Sequence, residues 1–296
     1  MHMMSAAHVI CSLGLLLTIG IQVTALAQSD AEEEKQQIEI VDSVSYVGYK
    51  IPSEKKTWID DTTGYEITQW TRKGENNHPY FTTESFIDEN TAIIYSKRTG
   101  KRQLYKLNLL NGEMVQMTKA ERLRGIDHLP KFKTAWYKDG KKIFSLNTTT
   151  FAVEEVFDFG THKFAMGSFS VTCDAQWFVF SANKKEPAPG DCGYGPYALY
   201  KLNLKDKSLH QITMDMGFNI GHVQANPVNP NLILYCWQWE KFDEPLLVGH
   251  APVRIWWVNI DGTDGGPLAQ EYGTQRTHET WTADGKLVSF VSKYRI

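Results

Sequence analysis

Leu104-Tyr105-Lys106-Leu107-Asn108-Leu109 leads through Asn111-Gly112 into Gln116-Met117-Thr118, and Leu199-Tyr200-Lys201-Leu202-Asn203-Leu204 leads through Lys205-Asp206-Lys207 into Gln211-Ile212-Thr213. One pattern is written twice: a strand, a polar turn and a second strand. Looser copies are Ile143-Phe144-Ser145-Leu146-Asn147 and Ile255-Trp256-Trp257-Val258-Asn259-Ile260, the latter followed by Asp261-Gly262. Alternating apolar and polar residues with Asn-Gly or Asp-Gly between them signal β-hairpins. The copies start at 104, 143, 199 and 255, so they recur after 39, 56 and 56 residues. That interval suits a four-stranded propeller blade carrying loops of variable length.

Working outward, a turn followed by an apolar strand also recurs. It is read at Asp139-Gly140 before Lys142-Ile143-Phe144, at Asp174-Ala175 before Trp177-Phe178-Val179-Phe180, and at Asp284-Gly285 before Leu287-Val288-Ser289-Phe290-Val291. Helical periodicity is lacking after residue 40. The expected fold is all-β, a β-propeller of four-stranded blades; a β-sandwich is the competing answer, and regular self-similarity favours the propeller. Tyr65-Glu66-Ile67-Thr68-Gln69-Trp70-Thr71 resembles the last strand of a blade, so the two chain ends are candidates to share one blade and close a five-bladed ring.

The chain has 296 residues, 42% hydrophobic and 12% aromatic, a composition that buries a large core. Net charge is -3, which predicts neither a nucleic-acid nor a membrane partner. An anionic ligand therefore needs a local basic cleft. Lys97, Arg98, Lys101, Arg102, Lys119, Arg122 and Arg124 are candidates, although such a run is usually a solvated face. Residues 1–27 read as a signal peptide: Val9 to Ala27 is almost wholly apolar and ends in Ala25-Leu26-Ala27. A polar linker follows over 28–48, and 49–296 is the propeller. The expected location is periplasmic or secreted, with no stable membrane insertion once the signal is cleaved. Cys173, Cys192 and Cys236 then remain, an odd number; Cys173 and Cys192 are a possible pair, and Cys236 reads as a buried small hydrophobe.

His222, between Gly221 and Val223 at the start of a strand, and His278 in the next repeat stand at equivalent places. Inner strands project towards a propeller's axis, where such folds keep their sites. Each histidine reads equally as a base or ligand in the axial funnel and as a structural residue bonding a neighbouring blade. Glu279 beside His278 is a candidate orienting carboxylate. Gln224 lies two residues from His222, on the same strand face by period two. His78 and His128 are candidates for the earlier blades, and a ring of such histidines can hold a divalent ion. His250 reads as loop decoration, Trp237, Trp239, Trp256 and Trp257 as core packing, and Asn147-Thr148-Thr149 as a chance glycosylation match. The sequence contains no G-x-S-x-G, P-loop, G-x-G-x-x-G, C-x-x-C or H-E-x-x-H, so nucleophilic, nucleotide and compact zinc chemistry find no support.

Three motifs in order carry a more specific likeness: Gly-His-Val-Gln-Ala-Asn-Pro (221–227), Arg254-Ile255-Trp256-Trp257-Val258-Asn259 with Asp261-Gly262, and Thr277-His278-Glu279-Thr280-Trp281 with Asp284-Gly285. With them the chain, from about Lys56 to Ile296, resembles the oligogalacturonate lyases, pectin-degrading seven-bladed propellers distantly related to TolB-type repeats. The resemblance implies an enzyme that cleaves short α-1,4-galacturonate oligomers by β-elimination, leaving a 4,5-unsaturated uronate. It implies a Mn²⁺ cofactor on the substrate's carboxylate, His222 as catalytic base, His278 as a metal ligand, and Gln224 and Arg254 as substrate-binding residues. The family's other metal ligands, a glutamine and two closely spaced histidines, belong to a later blade; no histidine or glutamine follows His278 here. Nor does an arginine stand near Lys201, where the family has one. The chain is thus expected to cover about five blades and to be truncated at its C-terminus. A non-catalytic TolB-like propeller binding a protein or an oligosaccharide is the alternative.

Overall fold

A computed structural model describes residues 40–185, 195–217, 219–238, 253–268 and 274–294. The signal and most of the linker, and the readings made for Cys192, Trp239 and His250, lie outside these residues. The described chain is nearly all β: its one helical element is a 3-10 turn, Pro130–Phe132. No helix among the described residues is long and apolar enough to cross a membrane.

The strands form successive antiparallel sheets in chain order. After β1 (Lys50–Ile51) and the hairpin of β2 (Lys56–Ile59) and β3 (Glu66–Gln69), blade 1 comprises β4 (Asn76–Asn77), β5 (Phe86–Asp88), β6 (Thr91–Ser96), β7 (Gln103–Asn108) and β8 (Met114–Gln116), with β1 added outside β8. Blade 2 is β9 (Leu123–Leu129), β10 (Thr134–Asp139), β11 (Lys142–Asn147) and β12 (Val153–Asp158). Blade 3 is β13 (Ala165–Val171), β14 (Trp177–Asn183), β15 (Tyr197–Asn203) and β16 (Leu209–Gln211). Blade 4 is β17 (Ile220–Ala225), β18 (Leu232–Trp237), β19 (Ile255–Asn259) and β20 (Gly265–Pro267), and the described part of blade 5 is β21 (Thr274–Trp281) paired with β22 (Val288–Tyr294). The four sequence copies are the third strands β7, β11, β15 and β19.

The repeat has a local cause. Each third strand ends in an asparagine, and in blades 1 to 3 its side chain builds the next turn. Asn108 Oδ1 accepts from the Leu110 N–H at 2.8 Å, Asn147 Oδ1 from Thr149 at 2.9 Å and Asn203 Oδ1 from Lys205 at 2.8 Å. Asx side chains mimic a backbone turn in this way. The residue closing each turn is left-handed: Gly112 at φ 80°, Phe151 at 63° and Lys207 at 64°. Asn147 is thus employed in a turn.

A second device opens the second strands of blades 3 and 5. Thr172 donates to Asp174 Oδ1 at 2.6 Å, and Thr282 to Asp284 Oδ1 at 2.6 Å. Asp139-Gly140 does not belong with them, because it joins β10 to β11, one strand later. Blade 2 makes its first turn through Pro130–Phe132 instead, closing on Lys133 at φ 52°.

Second strands are apolar runs because a neighbouring blade covers each face. β6 is buried at all six positions and β14 at six of its seven. Burying one such Ile, Val or Phe side chain is worth about 1.5–3 kcal/mol. The tryptophans belong to this packing: Trp237 and Trp256 stack at 5.0 Å against the cluster of Ile233, Tyr235 and Val258. The hairpin β2–β3 differs. It forms its own two-stranded sheet, separate from β21–β22, so the shared closing blade envisaged from the sequence is not formed. Residues 40–48 lie against blade 1, where the Val41 N–H donates to Arg98 O and that of Gly48 to Gln116 O.

Candidate functional site

The first strands of blades 2 to 5 share one irregularity. Their pairing slips at Gly125, at Gly167-Ser168, at His222-Val223 and at His278-Glu279. Each slip is a β-bulge, a feature that re-aims a side chain and recurs beside active sites. At two of them the left-handed residue is no glycine: His222 has φ 48° and His278 φ 55°. Such backbone costs about 1–2 kcal/mol for an ordinary residue. The two histidines are therefore equivalent in structure as in sequence.

Their surroundings differ. The His222 ring is partly buried and its Nδ1 lies 2.7 Å from Glu279 Oε1. Glu279 is fully buried, and its Oε1 stands 3.9 Å from Arg254 Nη2. Burial alone pushes this carboxyl up, but the His222 hydrogen bond and the Arg254 charge outweigh it and hold the group below its ordinary value. Glu279 is therefore ionised at neutral pH. An ionised Oε1 accepts the proton on Nδ1, which leaves the Nε2 lone pair of His222 available. Gln224, 3% exposed, donates from Nε2 to Glu279 O at 2.8 Å. His222 and Arg254 thus meet the Glu279 carboxylate, and Gln224 holds the backbone carbonyl of the same residue.

Glu279 was expected to orient His278 and instead holds His222, 57 residues earlier. The bulge at His278-Glu279 re-aims these side chains, and the carboxylate next to His278 is turned to the neighbouring blade. His278 is exposed, and its Nδ1 lies 3.3 Å from Thr277 Oγ1. His78 meets Ser85 Oγ at 2.7 Å. His128 is buried near the far end of β9, with Nδ1 3.2 Å from Glu84 O, and burial pushes its pKa down. Among the described residues these histidines are not gathered around one point.

No motif or periodicity marks the segment that faces the two histidines. Tyr80 and Phe81, between β4 and β5, lie against them: Tyr80 is 5.3 Å from the His222 ring and Phe81 5.8 Å from that of His278. Burial and the Glu279 charge raise the Tyr80 pKa, so its phenol keeps its proton. A cavity of about 210 Å³ opens beside His222, walled by Tyr80, Tyr95, Gly125, Ser168, Arg124 and Lys138. Most of the other proposed basic residues serve elsewhere. Arg98 is buried between Asp42 and Glu54, Lys97 pairs with Glu75 at 2.8 Å, and Arg102 lies over the Tyr95 ring. Lys201 lies over the Trp177 ring.

One group among the described residues brings candidate atoms together: His222, Cys236 and Glu279, within 4.8 Å of one another. Mn²⁺ favours oxygen and imidazole donors, whereas a thiolate suits softer ions. The carboxylate of this group is already held by His222, and His278 has no second ligand of this kind beside it among the described residues. The described residues therefore do not fit a manganese centre at His278. Cys173 is unbridged and half-buried.

Bulged inner strands around an axial cavity define a β-propeller with its candidate site at the axis. Solved structures agree on that class. The chain superposes on an oligogalacturonate lyase from Vibrio parahaemolyticus with a TM-score of 0.73 at 19% identity, covering 84% of this chain and 68% of that one. It superposes equally on an oligogalacturonate lyase in complex with manganese, with a TM-score of 0.73 at 20% identity over 85% and 69%. A TolB-type protein from Agrobacterium tumefaciens gives a TM-score of 0.50 at 16% identity over 76% and 79%. No protein-family profile matches the sequence, and no curated protein is similar to it. At these identities the likeness is one of fold.

Proposed function

We propose that this protein is an oligogalacturonate lyase acting on short α-1,4-galacturonate oligomers. The observation that carries the reading is the His222–Glu279 pair at the wall of the axial cavity, a base with a fixed tautomer and an accessible face. In this reading His222 Nε2 takes the C5 proton of the uronate. The C5 electron pair becomes the C4–C5 double bond as the bond from C4 to the glycosidic oxygen breaks. A positioned base of this kind contributes about 10²–10⁴-fold. Glu279 fixes the imidazole and stabilises the imidazolium that forms. Gln224 and Arg254, both buried, hold Glu279 in place. Mn²⁺ on the substrate carboxylate is the cofactor expected of this chemistry; no step is assigned to it, because the ligand set at His278 is incomplete among the described residues. Residues 1–27 support export, and hence a periplasmic or secreted enzyme.

That incomplete ligand set favours a second reading, a non-catalytic propeller that binds a protein or an oligosaccharide. One assay separates the two: ultraviolet absorbance of unsaturated product from di- and trigalacturonate, with added Mn²⁺ and with EDTA. The lyase reading expects product from the wild type and a loss of about 10²–10⁴-fold in His222→Gln. Glutamine retains a donor for Glu279, so the variant is expected to fold. Absence of product from folded wild-type protein under both metal conditions overturns the lyase and leaves the binding module.

A further inference from the structure

Arg124 on β9 and Lys138 on β10 are direct cross-strand partners beside the Gly125 bulge. Like charges placed opposite each other on a sheet destabilise it. Neither has an ion-pair partner among the described residues, and the Lys138 ammonium donates to the carbonyl of Met166 at 2.7 Å. Lys138 is half-buried, and burial together with the Arg124 charge lowers its pKa. The nearby acids are engaged elsewhere. Asp139 accepts the backbone N–H groups of Glu121 and Arg122 at 2.9 and 2.6 Å, and Asp158 accepts that of Gly160 at 2.7 Å. Two adjacent cations without a carboxylate partner among the described residues suit an anionic ligand.

Their position says which anion. Both side chains wall the 210 Å³ cavity that holds His222, and both also wall a lateral cleft of about 720 Å³. Ordinary ligand pockets span roughly 300–1,000 Å³. The axial cavity falls below that range and the cleft within it, so the cleft offers an oligomer reacting at His222 a way to continue past the pair. Arg122, Lys141 and Lys142 also line that cleft. A guanidinium binds a carboxylate through two parallel N–H groups, and an ammonium adds a point charge.

We propose that Arg124 and Lys138 form a carboxylate-binding subsite for a uronate beyond the disaccharide that reacts against His222 in an acidic oligosaccharide. The assignment rests on the lyase reading of the His222 site. It explains why a costly like-charge pair stands at the junction of two cavities, and it makes longer acidic oligomers the better ligands.

The test is calorimetric binding of di- and tetragalacturonate to His222→Gln, alone and combined with Arg124→Gln and Lys138→Met, with thermal unfolding as the check on folding. Removing a like-charge pair is not expected to lower the unfolding midpoint. The triple variant is expected to lose about tenfold or more in tetramer affinity, since each 1.4 kcal/mol is tenfold and charged hydrogen bonds are worth about 1.5–3 kcal/mol. The preference for tetramer over dimer should collapse, and salt should weaken tetramer binding less than in His222→Gln alone. Equal tetramer affinity in the two backgrounds overturns the subsite and leaves the lyase standing. Tetramer binding through the pair, in a wild type that makes no unsaturated product, sinks the lyase and keeps the subsite. No galacturonate binding at any length sinks the subsite outright.

Discussion

Two buried carboxylates tie first strands of neighbouring blades together, and they do it in opposite ways. Asp127 of blade 2 reaches blade 3, where Oδ2 accepts from Ser170 Oγ at 2.8 Å and from the Val171 N–H at 2.5 Å, while Oδ1 accepts its neighbour His128's N–H at 3.0 Å. Both of its oxygens are used and every donor is neutral. Glu279 reaches blade 4, where Oε1 meets His222 and stands near Arg254, and Oε2 has no hydrogen-bond partner among the described residues. Burial pushes the Asp127 pKa up to about 6, whereas the base and the cation hold that of Glu279 down. A carboxylate that only joins blades is saturated by neutral groups. The one assigned to the proposed site is paired with a titratable ring, at the energetic cost of an unused oxygen.

The largest expected effect breaks the functional member of the pair. Glu279→Gln keeps the shape but removes the charge that fixes the His222 tautomer. Turnover of digalacturonate should fall by about 10²-fold or more, within the range that a positioned base contributes. Asp127→Asn should leave turnover near wild type, because Asp127 touches no proposed site residue. It should instead destabilise the fold by about 1–3 kcal/mol, since an amide nitrogen now faces one of its former donors. A loss of turnover common to both variants would make Glu279 merely structural.

Next in size is the pH dependence of stability, where the two carboxylates have opposite signs. Folded Asp127 keeps its proton to about pH 6, while the unfolded chain releases it near pH 4. Its contribution is full below pH 4 and is lost as the pH rises through 6, by about 3 kcal/mol at 1.36 kcal/mol per unit. Glu279, with its pKa lowered, contributes above its ordinary value of 4.5 and loses that contribution as the pH falls through its folded value. Urea unfolding from pH 3 to pH 7 checks both. Asp127→Asn should flatten the fall between pH 4 and 6, and Glu279→Gln should flatten the acid limb.

Periodicity made the outer parts of the blades legible, because the recurring Asn-ended third strands are local devices: the asparagine and the turn it builds lie within four residues. The equivalence of His222 and His278 was legible for the same reason, since each opens the same strand of its blade. Asp139-Gly140 shows the limit. The dipeptide specifies a turn and not which strands it joins, so it was grouped with Asp174 and Asp284, one strand out of place. Contacts across blades left no local trace. Glu279 bonds a ring 57 residues away, and Tyr80 reaches His222 from blade 1 with no periodic signal around it. The like-charge facing of Arg124 and Lys138 depends on the register that the Gly125 bulge sets.

The smallest effect sharpens the contrast between the two histidines. Both occupy left-handed backbone, where glycine is at home. His278→Gly relieves that strain and gives up little beyond a long contact to Thr277, so the variant should be more stable, by up to about 1 kcal/mol. His222→Gly relieves the same strain but leaves Glu279 buried without its hydrogen bond, a cost of about 1–3 kcal/mol or more for a charged group. Its net change should therefore be destabilising. The sign of each change is read from urea midpoints at neutral pH. Stabilisation by both substitutions would mean that the His222–Glu279 bond contributes less than the backbone strain, and the tautomer argument for a fixed base would lose its energetic support.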